Sequence, residues 1–106
     1  MATVHVVLSV VQRRALTGAT MPVPDSVPAF AETLTSTGTS AQGAIQGSPG
    51  QFWSVTAQGG KIWVAFGASP TAAVAAAGQG GWLVLDGQTR DFAVSAAAEK
   101  YAIKDA

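Results

Sequence analysis

QFWSVTAQGGKIWVAFGASP, residues 51–70, is the stretch whose reading decides the fold. It holds Phe52, Trp53, Trp63 and Phe66, against three Trp, four Phe and one Tyr in the whole chain. In each half the side chains alternate with the two-residue period of a β-strand. Trp53, Val55 and Ala57 share one face of the first run. Ile62, Val64 and Phe66 share a face of the second, opposite Trp63 and Ala65. The Gly59-Gly60 step between the runs predicts a hairpin. Because the second run is apolar on both faces, it belongs centrally between two layers or against another subunit, since water penalises exposed aromatic area.

Outward from this stretch the same period recurs. Residues 3–11 alternate Val4, Val6, Leu8 and Val10 with Thr3, His5, Val7 and Ser9, a half-buried strand rich in β-branched residues. Residues 31–37 and 39–46, split by Gly38, read as a Thr/Ser-rich pair of solvent-facing strands with Thr33, Thr35 and Thr37 on one face. Gly47-Ser48-Pro49-Gly50 is a turn cluster leading into the central stretch. After Pro70, residues 71–81 hold two turns of helix at most before Gly78, Gly80 and Gly81 stop it. Residues 82–85 and 88–94 flank Asp86-Gly87, the residue pair that a type I′ hairpin turn demands. Residues 100–105 form a closing strand with Tyr101 and Ile103 inward. Together these predict an all-β domain, a β-sandwich or jelly-roll-like small barrel of seven to eight antiparallel strands. Residues 12–30 interrupt the pattern: Pro22, Pro24 and Pro28 remove backbone donors and exclude a central strand. The expected organisation is one domain over residues 1–106, with an N-terminal strand (1–11), an extended Pro-rich arm (12–30) and the main sandwich (31–106).

Composition narrows the function classes. The formal net charge is zero and 11% of the residues are charged, so no basic field draws nucleic acid or anionic lipid. With so little charge repulsion, self-association is the expectation, with a trimer as the form anticipated. There is no cysteine and one histidine, which excludes thiolate or multi-histidine metal sites; no metal or other cofactor is expected. The apolar run from Val4 to Val11 is followed, not preceded, by Arg13 and Arg14, unlike an export signal, and is far short of the about 20 residues that span a bilayer. A chain without a membrane segment is expected.

Candidate chemistry is sparse. His5 has no neighbouring carboxylate or nucleophile elbow and is expected to be structural. Asp86 belongs to its turn, and Asp91 beside Arg90 reads as a solvated charge rather than half of a carboxylate pair. The Gly78-Gln79-Gly80-Gly81 loop lacks the Lys-Ser/Thr of a phosphate cradle. Trp53, Trp63 and Trp82 could be sugar-stacking platforms, but the chain contains no Asn and core or interface roles fit them better. No catalytic residue is expected. The candidate interface residues are Arg13, Arg14, Leu16, Met21, Val23, Val27 and Phe30, which supply cationic and apolar anchors for a neighbouring chain, together with Trp63.

The order of elements from residue 31 onward resembles a class of small tailed-bacteriophage virion proteins. AETLTSTGTSAQ leads to a W-S-V-T strand, then IWVAFGASPTA, a loop, WLVLDGQTRDFAVS and KYAIKDA. The resemblance implies a β-sandwich that assembles into virions as a capsid decoration or cement protein, with no catalytic residue. Its implied partners are further copies of itself and the major capsid protein, and its implied place is the virion, assembled in the host cytoplasm. A tail or head–tail component, or a carbohydrate-binding host-attachment module, are the alternative readings.

Overall fold

The computed structural model describes residues 2–10, 27–72 and 81–106. Among them are eight strands: β1 (Thr3–Val10), β2 (Phe30–Thr35), β3 (Ala41–Gln42), β4 (Gln51–Gln58), β5 (Ile62–Gly67), β6 (Trp82–Val84), β7 (Thr89–Ala93) and β8 (Lys100–Asp105). They form two antiparallel four-stranded sheets, ordered β2-β1-β4-β7 and β3-β8-β5-β6. The all-β sandwich expected from the alternating pattern is what the chain adopts.

The connections differ from the sequence reading in one consistent way. β4 and β5 do not pair as a hairpin; they lie in opposite sheets, as do β6 and β7 on either side of Asp86-Gly87. β2 and β3 are likewise split between the sheets rather than paired. For β4 and β5 the reason is that both carry an inward apolar face. Trp53, Val55 and Ala57 from β4, and Ile62 and Val64 from β5, are all buried in one core. Packing these faces against each other across the sandwich removes both from water, whereas edge-to-edge pairing would leave both faces needing a cover.

The turn residues serve the sheet crossings. Gly59 and Gly87 both take positive φ, 88° and 78°, the conformation glycine adopts without steric cost. The two corners also interlock: Asp86 Oδ1 accepts from the Gly59 amide (2.9 Å) and the Gly87 amide donates to Ala57 O (2.9 Å). Followed from β2 to β8 and then to β1, the pairings are those of a jelly roll, in which the chain changes sheet at nearly every turn. β1 therefore sits in mid-sheet between β2 and β4 rather than beside the sandwich. Ser36 joins the two chain termini, accepting from the Ala2 amide (2.8 Å) and donating to the Asp105 carboxylate.

The core between the sheets comprises Val4, Val6, Leu8, Trp53, Val55, Ile62, Val64, Val84, Tyr101 and Ile103, all fully buried. The outer faces differ. On the β2-β1-β4-β7 sheet the outward positions are mostly polar, with Thr56 bonded to Thr89 (2.7 Å) and Ser54 to Asp91 (2.6 Å). On the other sheet Trp63 packs on Ala65, Ala72 and Ala102. Ala72 is held there by its amide on Ser40 Oγ (2.9 Å), and Gln42 Nε2 donates to Pro70 O (3.2 Å). The chain itself thus supplies part of the cover that the two-faced strand β5 requires.

Candidate functional site

The sandwich has two open sides, and aromatic residues gather at one of them. Where β6 and β7 form the neighbouring edges of the two sheets, Phe66, Phe92 and Trp82 follow one another at ring-centroid distances of 4.9 Å and 5.6 Å, and Phe66 continues inward to Trp53 at 5.9 Å. Alternation along β7 produces this arrangement: Arg90 and Phe92 point inward opposite Val55 and Trp53, while Thr89 and Asp91 point outward opposite Thr56 and Ser54. Arg90 spans the gap between the sheets. Its Nη1 donates to Leu83 O on β6 (3.0 Å), and its guanidinium lies 5.3 Å from the Trp82 ring centroid and 5.5 Å from that of Phe92. A guanidinium over two rings is attracted by their negative faces while a hydrogen bond holds its fork in place.

Beside this cluster opens a cleft of about 710 Å³ lined by Phe66, Gly67, Trp82, Phe92, Ser95, Ala96 and Glu99, with Ala65, Asp91 and Ala93 completing the wall. Trp82 is 51% exposed, one of four large apolar residues open to water among the described residues, alongside Val27, Phe30 and Leu85. Glu99, by contrast, is 4% exposed. Its Oε1 accepts from Trp53 Nε1 (2.9 Å) and its Oε2 from the Ser95 amide (3.1 Å). Charge-assisted bonds of this kind compensate a carboxylate for lost water. A left-handed Ala98 (φ 57°) turns the chain immediately before Glu99.

A second carboxylate network, half-buried, closes the opposite side. Glu32, inward on β2, accepts from the Ala44 amide (2.9 Å) and from the Tyr101 hydroxyl. Burial first, then the Glu32 carboxylate, raises the Tyr101 pKa far above the ordinary phenol value. Tyr101 meets Trp53 edge-on at 5.4 Å, so the rings run from one side of the sandwich to the other. The loop over Tyr101 requires glycine: a Cβ at Gly43 would lie 2.1 Å from Tyr101 Cζ.

Of the residues singled out from the sequence, the described ones do not share one patch. Val27 and Phe30 are exposed, 78% and 56%, beside the start of edge strand β2. Trp63 lies half-buried on the outer face of the other sheet. Arg13, Arg14, Leu16, Met21 and Val23, with Pro22 and Pro24 and most of the expected 71–81 helix or loop, lie outside the described residues. His5 faces outward, bonded to Thr33 Oγ1 (3.1 Å) and Gln58 Oε1 (3.3 Å), the cross-strand bonding of a polar sheet face. Of the three tryptophans, Trp53 is wholly core and Trp82 reaches the cleft. The sequence reading did not single out Glu99 or Phe92. The Arg90-x-Phe92 alternation was the available signal for one; Glu99 had none, because its indole partner is 46 positions away.

Comparison of the chain with protein-family models, with curated proteins and with solved structures finds no match.

Proposed function

We propose that this chain is a non-enzymatic structural protein of a tailed-phage particle, acting as a capsid decoration or cement subunit that associates with copies of itself and with the major capsid protein. The observation that carries the reading is the β2 edge. A strand with one side unpaired among the described residues, with Val27 before it and Phe30 at its start both exposed, in a chain of zero net charge, offers backbone donors and apolar area together without charge repulsion. The jelly-roll order of the strands is in keeping with this, since viral capsid domains use it, although the same architecture hosts other functions. The test is cofractionation. In lysates that make the chain from its native locus it should sediment with virions, and an antibody against it should label heads at regular spacing. Recovery only in the unassembled fraction overturns the proposal.

A further inference from the structure

We propose that the cleft beside Trp82 is a binding site for a neutral saccharide, a function separate from particle assembly. The charges at the cleft select the ligand class. Buried Glu99 lines it, so an anion would meet a carboxylate. A cation would compete with Arg90, whose guanidinium already lies 5.3 Å and 5.5 Å from the Trp82 and Phe92 ring centroids. A wholly apolar ligand would satisfy Phe66, Phe92 and Trp82 but place hydrocarbon against Glu99 and Ser95, at a cost in polar desolvation. A sugar ring has what remains: a C–H face that stacks on an indole, and a rim of neutral hydroxyls that both donate and accept.

The site is held in place before any ligand arrives. Trp82 is positioned by Phe92 at 5.6 Å and by Arg90, itself tied to Leu83 O at 3.0 Å. Glu99 is fixed by Trp53 Nε1 and the Ser95 amide, and a carboxylate with one protein donor on each oxygen keeps acceptor capacity for a hydroxyl. A guanidinium has five N–H donors, and Arg90 gives one of them to Leu83 O. The cleft, at about 710 Å³, is within the roughly 300–1,000 Å³ of small-molecule sites. Half-exposed Trp82, set against fully buried Trp53, is the residue whose emission a ligand here would change.

The experiment screens the whole chain against an array of neutral and acidic hexose and N-acetylhexosamine oligosaccharides, then titrates the strongest neutral binder while following tryptophan fluorescence. The expected result is saturable quenching or blue shift, at least tenfold weaker binding in Trp82→Ala, and unchanged binding in Trp63→Ala. Ala96→Trp, which adds bulk from an exposed wall position and removes no core contact, should block binding with the melting temperature unchanged. That second variant decides the matter if Trp82→Ala does not fold. No binder on the array, binding of acidic sugars alone, quenching by a Pro-rich peptide in place of any sugar, or affinity indifferent to both Trp82→Ala and Ala96→Trp each overturns the proposal. None of these outcomes bears on whether the chain sediments with virions, so the two readings fail separately.

Discussion

The two open sides of the sandwich are closed by different chemistry. Between β2 and β3 the bridge is polar: Glu32 reaches across to the Tyr101 hydroxyl and the Ala44 amide. Between β6 and β7 it is aromatic: Phe66, Phe92 and Trp82 fill the gap and Arg90 ties one edge to the other. A hydrogen-bonded bridge tolerates little displacement, and among the described residues nothing pairs with the outer side of β2, where Val27 and Phe30 are exposed. The aromatic bridge is adaptable in shape and leaves a tryptophan half in water next to a cleft. One side is therefore suited to adding a neighbour and the other to holding a small ligand, and both meet at Trp53, whose ring touches Tyr101 on one flank and Phe66 on the other.

This contrast can be broken by substitution. Trp53→Ala should have the largest effect, about 3–5 kcal/mol in denaturant unfolding, because it empties the shared centre and strips Glu99 of a donor. A loss below about 1 kcal/mol would mean that the two sides do not share a core. Gly43→Ala acts on the polar side alone. The added methyl meets the Tyr101 ring, which is backed by the core, so overpacking should cost about 1–3 kcal/mol.

Tyr101→Phe should cost about 1–2 kcal/mol at neutral pH by leaving Glu32 one donor short, and it carries a pH signature. The folded pKa of Tyr101 is raised, so the folded state holds its proton more tightly than the unfolded chain. The contribution is fully present below the unfolded value of about 10 and is lost as pH climbs above it toward the folded value. Since the chain has one tyrosine, phenolate absorbance should report this site alone. Native protein should lose stability as it enters the alkaline range, and Tyr101→Phe should flatten that slope. Equal alkaline slopes in both proteins would remove the buried phenol from the account. On the aromatic side, Arg90→Ala should cost least, about 0.5–1 kcal/mol, the worth of a partly exposed cation–π contact; a larger loss would show that side to depend on its hydrogen bond to Leu83 O.

What could be read from the sequence follows from the range of the interactions. Alternation at Trp53, Val55, Ile62 and Val64 is local and gave the strands and their inward faces correctly. The positive φ of Gly87 was also legible in its turn. Which strands the turns connect was not, because a hairpin and a sheet crossing use the same glycines, and the choice depends on whether two apolar faces find each other across a core. Glu32, Glu99 and Arg90 acquire their roles from partners brought together by topology. Tyr101 was legible as inward, but its partner Glu32, 69 positions away, was not. The second apolar face of β5 was read correctly as needing a cover, yet part of that cover is Ala72 of the same chain rather than another subunit.

Copies of the chain are proposed to meet along the β2 side. Light scattering on the purified chain, compared with a Val27→Asp/Phe30→Asp variant of equal melting temperature, tests this most directly. The native chain should scatter as a closed oligomer with the mass of a trimer, and the variant should fall to the 10.7 kDa of a single chain. A native chain already at 10.7 kDa, or a variant that keeps the native mass, would contradict it.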